Sequence, residues 1–289
     1  MKATEQEHIP EISVIMGVYN QYSREELMTA VRSVLDQTFS DFEFIIYNDG
    51  SDREPTRHLK DLEQLDPRIR VIHNAENWGL AFSLNRCIRE ARGKYIARMD
   101  ADDISLPTRL AEEYEFLETH PAYDWVGCNA RVFEGDETWG ILIMAEEPNQ
   151  YNFLPFSPYI HPSVMYRNEI FLQGNRYEET HTTRRCEDYE FFMWLYRNGF
   201  RGYNLQRILL LYRQRRDVYK RRKAIDRIRE AQVRAKHFPH MDLPVRKVVA
   251  YTMRPLIAML IPYPLIAAYK KRRLKELAHH ADEQGTTDL

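Results

Sequence analysis

Three carboxylate side chains lie within four consecutive residues, Asp100-Ala101-Asp102-Asp103, directly after a strand-like run. Oxygen-rich clusters of this kind suit hard divalent cations, and Mg²⁺ in particular is commonly completed by waters and substrate phosphates. The cluster therefore indicates a cation and a phosphate-bearing substrate. The alternative is an acidic turn that begins the next helix, because Asp103 or Ser105 suits a helix N-cap.

Two further signals follow strand-like runs earlier in the chain. Tyr19 and Asn20 come after the apolar run 12–18, and Asp49 comes after the apolar run 42–47. An aromatic ring can stack on a base and a carboxylate can accept a base N–H, so both suit a nucleotide. Taken singly, these residues are weak evidence, because polar residues are common where strands end.

The surrounding pattern predicts how these residues are positioned. Short β-branched runs alternate with amphipathic stretches, and Ser23 with Glu26 forms a capping-box pattern before the first of them. The predicted strands are 12–18, 42–47, 70–72 and 94–99, and the predicted helices are about 24–37, 54–65 and 81–91. Four such repeats predict a doubly wound α/β sheet, in which ligands lie beyond the carboxyl ends of the strands.

The common nucleotide-binding loops are missing from the sequence. The segment after the first predicted strand is not Gly-x-Gly-x-x-Gly, and there is no Gly-x-x-x-x-Gly-Lys-Ser/Thr loop. Dinucleotide cofactors and P-loop ATP chemistry are therefore not supported. A nucleotide site in this chain would consist of loop side chains and a metal.

Composition limits the class of protein. The 289 residues are 44% hydrophobic and 29% charged, which is typical of a soluble globular chain. Cys87, Cys128 and Cys186 form an odd, widely spaced set without CxxC, which argues against a disulfide framework and a zinc site. Because the N-terminus also lacks the apolar core of a signal peptide, we expect a cytoplasmic protein.

Charge is divided unevenly along the chain. Residues 1–212 carry 22 Lys/Arg and 35 Asp/Glu, whereas residues 213–289 carry 19 and 8. A basic tail favours an anionic partner, either a membrane surface or nucleic acid. The acidic body would repel a phosphate backbone and no nucleic-acid-binding signature is visible, so we expect no nucleic acid partner.

Six ordered blocks resemble family 2 glycosyltransferases of the GT-A fold, the inverting nucleotide-sugar enzymes that build bacterial surface polysaccharides. The blocks are 12–20 (ISVIMGVYN), 47–52 (YNDGSD), 77–85 (NWGLAFSLN), 93–103 (GKYIARMDADD) with Pro107 and Arg109, 161–164 (HPSV) and 186–190 (CEDYE). The resemblance implies a GT-A domain over 1–215, with a Rossmann-like, mostly parallel nucleotide-sugar half at about 10–110 and an acceptor half at about 111–215. Residues 216–289 would form a basic, amphipathic helical extension.

The resemblance also implies a donor site. Asp100 and Asp102 match a DxD motif, so Asp100 would lie by the ribose and Asp102 would bind Mn²⁺ or Mg²⁺ that bridges the diphosphate, while Asp103 caps the next helix. Arg98 would help to neutralise phosphate, or else it is an exposed strand-end arginine paired with a neighbouring carboxylate. The implied substrate- and nucleotide-binding residues are Tyr19, Asn20, Asp49, Asn85, Arg98 and Asp100, and the implied metal ligands are Asp102 and Asp100.

Direct displacement at an anomeric carbon requires a base for the acceptor hydroxyl. Asp188 matches the aspartate of the family's glutamate-aspartate pair and is the implied base, with a pKa that neighbouring aromatic side chains could raise by desolvation. From the residues alone, the favoured interpretation is that Glu187 and Asp188 cap the helix predicted at about 189–198. Glu187 and Trp194 are assigned to the acceptor or phosphate side.

Three more residues are candidates for the acceptor or phosphate side of the site. His161 is a metal ligand, an acceptor-site hydrogen-bonder or a packed histidine, and the acceptor site is favoured. Relatives often carry Tyr-Arg-x-His where this chain has Tyr212-Arg213-Gln214-Arg215. A third protein metal ligand is therefore in doubt, and Arg213 or Arg215 becomes a candidate phosphate clamp.

The tail suggests contact with a membrane surface. Residues 248–269 are apolar for about the length of a bilayer crossing, but Arg254 and three prolines interrupt them. We expect a monotopic element whose apolar side chains dip into the interface, with the basic run 270–273 on anionic headgroups. The alternative is a helical pair that packs on its own domain or on a second subunit of a homodimer.

The sequence thus predicts a metal-dependent inverting glycosyltransferase that uses a nucleotide-diphospho-sugar, with UDP favoured. Its acceptor would be a glycan or polyprenyl-diphosphate-linked glycan of O-antigen, capsule or exopolysaccharide synthesis, at the inner face of the cytoplasmic membrane. One alternative is a sugar nucleotidyltransferase, which would be expected to carry a Gly-rich basic loop after the first strand. The other is a non-catalytic nucleotide-sugar-binding or scaffold protein, against which the set Asp100, Asp102 and Asp188 counts.

Overall fold

The computed structural model describes residues 8–215 and 223–261. The strands within them are β1 (Ile12–Val18), β2 (Phe42–Asp49), β3 (Ile69–Asn74), β4 (Tyr95–Arg98), β5 (Ile104–Ser105), β6 (Trp125–Glu134), β7 (Glu137–Leu142), β8 (Met165–Arg167) and β9 (Gly202–Arg213). The helices are α1 (Arg24–Leu35), α2 (Arg53–Leu62), α3 (Leu80–Glu90), α4 (Arg109–Thr119), α5 (Glu169–Leu172), α6 (Glu187–Arg197), α7 (Ala224–His237) and α8 (Val245–Ile257).

The strands form one sheet in the order β3-β2-β1-β4-β8-β6-β9-β5, with β7 paired to β6. The pairs β3-β2, β2-β1, β1-β4 and β6-β9 are parallel. The short strands β5, β7 and β8 pair antiparallel with their neighbours. The parallel order β3-β2-β1-β4 confirms the predicted Rossmann-like α/β half, and the antiparallel strands β5, β7 and β8 follow β4 along the chain.

The central strands are buried on both faces, which explains their nearly continuous apolar sequence. Because side chains alternate along a strand, Val14 and Met16 pack with α1 on one face, while Ile15 and Ile45 pack with α3 on the other. Burying a side chain of this size stabilises the fold by roughly 1.5–3 kcal/mol. The carboxyl ends of these strands are therefore held rigidly at one edge.

The predicted start of α1 is confirmed. The Ser23 hydroxyl oxygen accepts the backbone N–H of Glu26 at 3.2 Å, so Ser23 is the N-cap. The helices predicted at 54–65 and 81–91 are also present, as α2 and α3, with ends that differ by one to three residues.

The segment after the carboxylate cluster differs from its predicted form. No helix begins at Asp103 or Ser105: residues 104 and 105 form β5, which pairs with β9, and α4 begins at Arg109. Asp103 does not cap a helix, because its Oδ1 accepts the backbone N–H of Arg213 at 2.7 Å. The partner strand lies 110 positions along the chain, so no local pattern could reveal it.

The described C-terminal helices pack on the α/β body. Val233 of α7 and Phe238 after it belong to the core behind α6. The Arg234 guanidinium donates to the Leu154 carbonyl at 2.7 Å and to the Tyr251 carbonyl of α8 at 3.0 Å. The alternative of a helical pair packed on its own domain therefore describes α7 and α8. The division of the chain into a domain ending at 215 and an extension stays a prediction.

One face of α8 remains apolar and exposed. Val245, Val249, Met253 and Ile257 recur at four-residue spacing on that face. Within the described residues, no helix combines the length and the apolar character that a bilayer crossing requires. Positions 262–269 of the predicted interfacial element and the basic run 270–273 lie outside the described residues.

Candidate active site

The loops after β1 and β2 are tied together at the carboxyl edge of the sheet. Asn20 donates its backbone N–H to the Ser51 hydroxyl at 3.0 Å, and its Oδ1 accepts the N–H of Asp52 at 2.8 Å. Its φ of 50° lies in the left-handed region, which Asn tolerates better than most residues. Tyr19 beside it is 54% exposed, so its ring is free to stack on a ligand.

Asp49 organises the loop that leads into α3. Its Oδ1 accepts the Trp78 N–H at 2.9 Å, and its Oδ2 accepts the Gly79 N–H and an Asn77 amide N–H, both at 2.7 Å. Burial raises the pKa of Asp49, and these hydrogen bonds partly oppose the rise. Asp49 lines a cleft of 580 Å³, which we name the Asp49 cleft, together with Tyr19, Asn77, Arg184, Arg185 and Glu187.

A second cleft of 640 Å³ adjoins the first and shares Gly17, Val18, Tyr19 and Arg185 with it. We name it the carboxylate cleft, and its lining includes Asn20, Asp100, Asp102, Tyr212, Arg213 and Arg215. The two clefts form one groove. Eight of the residues predicted from sequence thus line it, with Asp49 toward one end and the carboxylate cluster toward the other.

The three clustered aspartates meet in space. Asp100, Asp102 and Asp103 each offer a carboxylate oxygen within 4.8 Å of the other two. Burial and the charge of Asp100 raise the pKa of Asp102 to about 6, and burial with both neighbouring charges raises the pKa of Asp103 well above its usual range. Asp103 is buried, and its Oδ2 has no hydrogen-bond partner. Crowded acids with an unpartnered oxygen fit a divalent cation, whose charge would relieve their repulsion.

Arg98 is buried, so it is not the exposed strand-end arginine of one interpretation. Its side chain is 2% exposed, and its Nη2 lies 2.5 Å from Oδ1 of Asp100. Burial disfavours the charged guanidinium, but Asp100 outweighs that effect and the pKa of Arg98 is raised. Its Nε and Nη1 are buried without hydrogen-bond partners. Arg98 therefore compensates Asp100 from the interior, and a direct contact with phosphate stays a prediction.

Arg213 and Arg215 reach the carboxylate cleft from the end of β9. The Nε of Arg213 donates to the Asp102 carbonyl at 2.7 Å. The guanidinium groups of Arg213 and Arg215 lie 3.5 Å and 3.7 Å from the carboxylate oxygens of Glu26. Both candidate phosphate clamps thus line the cleft while paired with an acid. The third potential metal ligand in this place is Asp103, not a histidine.

Glu187 and Asp188 are the first two residues of α6. Burial raises the pKa of Glu187, although its own backbone N–H and that of Arg185 donate to its carboxylate. Acidic side chains at a helix N-terminus are favourable, which agrees with a role at the helix start. Burial raises the pKa values of Tyr166 and Tyr177, and the charge of Asp188 adds a smaller rise to both. Its role as base stays a prediction.

Tyr177 joins several of these residues in the interior. Its hydroxyl lies 2.8 Å from Nε2 of His161 and 3.3 Å from the hydroxyl of Tyr166. His161 is buried, and burial followed by the charge of Arg98 holds its pKa well below the usual range. His161 is thus packed and neutral, which matches one of its three interpretations, and a contact with an acceptor stays a prediction.

Asn85 and Trp194 line neither cleft. The Asn85 amide donates to the Tyr177 carbonyl and to the Glu179 carboxylate at 2.8 Å, and it accepts the Tyr177 N–H at 3.1 Å. Asn85 therefore fixes the segment before α6, and its predicted contact with the nucleotide stays a prediction. Trp194 is 39% exposed and donates its indole N–H to Asn175 at 3.1 Å.

Sequence reasoning missed Arg185 and Tyr177. Both belong to the irregular segment 173–186, which has no helical or strand period to orient its side chains. The one nearby signal was the glutamate-aspartate pair that begins α6. Arg185 precedes that pair by two positions, and its positive charge is the signal that the sequence offers.

Comparison with known proteins identifies the family. Residues 13–228 match the family described as Glycosyl transferase family 2. The chain belongs to glycosyltransferase family 2. It is therefore a glycosyltransferase, and the alternatives of a sugar nucleotidyltransferase and a non-catalytic scaffold are set aside.

Curated relatives of this family 2 enzyme match most of its length. The putative glycosyltransferase EpsE of Bacillus subtilis is 34% identical over 266 residues, which cover 92% of this chain and 95% of EpsE. The O-antigen biosynthesis glycosyltransferase WbnJ of Escherichia coli is 32% identical over 207 residues, which cover 70% of this chain and 79% of WbnJ.

Solved structures show the same fold. Staphylococcus aureus TarS in complex with UDP-GlcNAc superposes with a TM-score of 0.61 at 17% identity, covering 85% of this chain and 71% of that one. The mannosyltransferase PcManGT from Pyrobaculum calidifontis, in complex with GDP-Man and Mn²⁺, superposes with a TM-score of 0.60 at 16% identity. The match covers 94% of this chain and 84% of PcManGT. The predicted GT-A fold is confirmed.

Proposed function

We propose that this family 2 glycosyltransferase is metal-dependent and inverting, and that it moves a sugar from a nucleotide-diphospho-sugar to a hydroxyl of a glycan or lipid-linked glycan. The observation that carries the proposal is the cluster formed by Asp100 and Asp102, which line the groove, and by the buried Asp103 behind them, with its crowded charges and unpartnered buried oxygen. The ligands of TarS and PcManGT, UDP-GlcNAc and GDP-Man with Mn²⁺, support a donor of this class. We favour a UDP-sugar.

The groove suits a nucleotide-sugar that lies along it. Tyr19 offers an exposed ring to the base or ribose. Oδ1 of Asp49 accepts one N–H from the protein, and a carboxylate oxygen has two lone pairs, so it can also accept a base N–H. This orientation directs the diphosphate toward the carboxylate cluster.

A cation held by the cluster would balance the charge of the diphosphate. Asp100 and Asp102 would hold the cation at the cleft surface, with Asp103 behind them. A bound divalent cation supplies a Lewis acid that stabilises the departing nucleoside diphosphate. Arg213 and Arg215 line the same cleft and can exchange Glu26 for a phosphate oxygen.

Asp188 takes the role of base in this proposal. The acceptor hydroxyl gives its proton to the carboxylate as its oxygen attacks the anomeric carbon. The bond from that carbon to the diphosphate oxygen breaks, and its electron pair leaves with the nucleoside diphosphate. Attack on the face opposite the leaving group inverts the configuration.

Asp188→Asn tests this assignment. Thermal shift with UDP-, GDP- and dTDP-sugars in Mn²⁺ first identifies a donor that stabilises the protein. In Asp188→Asn we expect donor binding to persist while transfer falls at least about a hundredfold, because a positioned base contributes this much. Glu190→Gln, on the same helix and bonded to α7, is the matched control. Unchanged turnover in Asp188→Asn would rule out this base.

The acceptor is proposed to be a bacterial surface polysaccharide or its lipid-linked precursor. WbnJ is named for O-antigen biosynthesis, and TuaG of Bacillus subtilis, 34% identical over 127 residues, is named as a putative teichuronic acid biosynthesis glycosyltransferase. These names support O-antigen, capsule or exopolysaccharide synthesis as the setting.

The exposed face of α8 supports peripheral attachment to the inner face of the cytoplasmic membrane. Val249 and Met253 lie at the centre of its apolar stripe, and Arg246 and Arg254 are exposed beside it. An amphipathic helix with basic flanks lies in the interface, with its cations on anionic headgroups. Attachment would bring the groove to polyprenyl-diphosphate-linked acceptors.

Flotation with phosphatidylglycerol vesicles tests the attachment. We expect the double variant Val249→Asp with Met253→Asp to lower the bound fraction at least fivefold, because charges replace the apolar stripe. Leu172→Asp is the control, since Leu172 is 78% exposed on α5. Equal binding of the double variant would contradict attachment through α8. A changed elution volume with equal binding would assign the stripe to a homodimer instead.

A further inference from the structure

Arg185 has a backbone conformation that arginine rarely adopts. Its φ is 66°, in the left-handed region where the Cβ atom is penalised in every residue except glycine. Among the described residues, the other non-glycine cases are Asn20 and Asp242, whose residue types tolerate this region. The presence of an arginine at this position therefore requires an explanation.

Local contacts explain the backbone conformation of Arg185, but they do not explain why the side chain at this position is that of arginine. The Cys186 N–H donates to the Thr183 carbonyl at 2.8 Å, which closes the turn before α6. The Arg185 N–H donates to the carboxylate of Glu187, which is among the influences on the pKa of that group. Both hydrogen bonds use main-chain donors. Glycine would satisfy the turn at a lower conformational cost.

The side chain of Arg185 lies where the two clefts join. Of the four residues that line both the Asp49 cleft and the carboxylate cleft, Arg185 is the charged one. The residue is exposed, and its guanidinium has no hydrogen-bond or ion-pair partner within 8–215 and 223–261. Its charge slightly offsets the rise that burial causes in the pKa of Glu187. Arg185 thus places a cation at the middle of the groove.

We propose that Arg185 binds the diphosphate of the donor and of the leaving nucleoside diphosphate. The proposal rests on the function proposed above. A nucleotide-sugar with its base near Asp49 and its diphosphate near Asp102 must pass the place where both clefts meet. The anionic part of such a ligand is the diphosphate, and a guanidinium binds phosphate oxygens through two parallel N–H groups.

The contact between Arg185 and the diphosphate becomes more favourable as the reaction proceeds. When the bond between the anomeric carbon and the β-phosphate oxygen breaks, the electron pair stays on that oxygen, and the acceptor proton goes to the base. Negative charge therefore grows on the β-phosphate during the step. A fixed cation beside it stabilises the transition state more than the bound donor. Loss of Arg185 should accordingly lower kcat as well as donor affinity.

Substitution by glycine separates the side chain from the backbone. Arg185→Gly deletes the guanidinium at a position where glycine relieves conformational cost, so the fold should be retained. Arg185→Lys keeps the charge but loses the two-pronged geometry. Arg201→Ala is the control for removal of an exposed arginine elsewhere in the chain.

Calorimetric titration with UDP and UMP in Mn²⁺ reads out the β-phosphate contact. For Arg185→Gly we expect a melting temperature no lower than that of the parent, UDP binding at least tenfold weaker, and UMP binding changed by less than about threefold. The UDP affinity of Arg185→Lys should lie between those of the parent and of Arg185→Gly. The UDP affinity of Arg201→Ala should match that of the parent. If the parent prefers GDP, the same comparison is made with GDP and GMP.

The outcomes that overturn the proposal are distinct from those that overturn the function. Equal weakening of UDP and UMP, or unchanged UDP affinity, in Arg185→Gly removes Arg185 from the diphosphate and leaves the glycosyl-transfer proposal intact. A lower melting temperature in Arg185→Gly would show that the side chain serves the fold. If the parent binds no nucleoside diphosphate with Mn²⁺, the proposed function falls and the role of Arg185 falls with it.

Discussion

Two acidic regions of the same groove are built in opposite ways. At Asp49, both carboxylate oxygens accept N–H groups of the α3 loop within 2.9 Å. Burial raises the pKa of aspartates in both regions, but in the cluster the charge of Asp100 adds to the rise for Asp102 and Asp103, and Oδ2 of Asp103 is buried without a partner. Protein N–H groups balance the carboxylate of the first region, whereas in the second a bound divalent cation would relieve the repulsion between the carboxylates.

The difference shows that the charge of an aspartate in this groove can be balanced either by the protein itself or by a bound ligand. Hydrogen bonds to a carboxylate stabilise the native state, but repulsion between crowded carboxylates destabilises it. Such a cost is typical of functional sites, where other parts of the structure compensate for it. One substitution, aspartate to asparagine, should therefore have opposite effects on stability in the two regions.

The largest expected effect is on turnover. Asp102→Asn removes a ligand of the proposed cation, so transfer from the donor in Mn²⁺ should fall at least about a hundredfold, or about 2.7 kcal/mol of transition-state stabilisation. Steady-state transfer assays of the purified enzyme provide the measurement. Near-normal turnover of Asp102→Asn would mean that the cluster holds no catalytic metal.

Asp49→Asn should reduce stability. The amide would place an NH₂ group against backbone N–H donors that now bind a carboxylate, so the free energy of unfolding should fall by about 2–3 kcal/mol. Urea denaturation at pH 7 measures it. A stability equal to that of the parent would show that the bonds to Trp78 and Gly79 contribute little to folding.

Asp102→Asn should increase stability when metal is removed by EDTA. Because burial and Asp100 raise the pKa of Asp102 to about 6, its charge costs folding energy at pH 7. Each pKa unit corresponds to about 1.4 kcal/mol, and after allowance for partial exposure we expect a gain of roughly 1–2 kcal/mol. A loss of stability in this variant would contradict the contrast between the two regions.

Glu190 of α6 is a third acidic residue for this comparison. Its substitution should have the smallest effect on stability. Burial disfavours its charge, but hydrogen bonds from His237 at 2.9 Å and Lys236 at 2.8 Å outweigh burial and lower its pKa. A lowered pKa contributes stability above the unfolded-state value, and that stability is lost as the pH falls through the folded value.

Glu190→Gln should therefore be less stable than the parent by about 1 kcal/mol at pH 7, and the gap should close below about pH 4. Urea denaturation at the two pH values measures the gap. A difference that does not change with pH would mean that Glu190 acts through packing instead of charge.

Local patterns predicted the fold well where the structure is local. The alternation of apolar runs with amphipathic stretches gave the α/β half, and Ser23 marked the start of α1 correctly. The crowding of Asp100 and Asp102 was visible because they are close in sequence. These features depend on contacts within a few residues or on the regular periods of strands and helices.

Features that depend on distant parts of the chain escaped the sequence. Asp103 was expected to cap a helix, but its Oδ1 accepts the backbone N–H of Arg213 in β9 instead. Asn85 holds the Tyr177 segment, 92 positions away. Arg185 lies in a turn whose direction is set by packing of α6. Each case requires a tertiary contact that no short pattern encodes.

The central claim is that the carboxylate cluster binds a divalent cation together with the donor diphosphate. Calorimetric titration of UDP with and without Mn²⁺, in the parent and in Asp102→Asn, tests it most directly. Linkage predicts that Mn²⁺ tightens UDP binding at least tenfold in the parent and less than twofold in the variant. UDP affinity that is independent of Mn²⁺ in the parent, or an equal gain in Asp102→Asn, would contradict the claim.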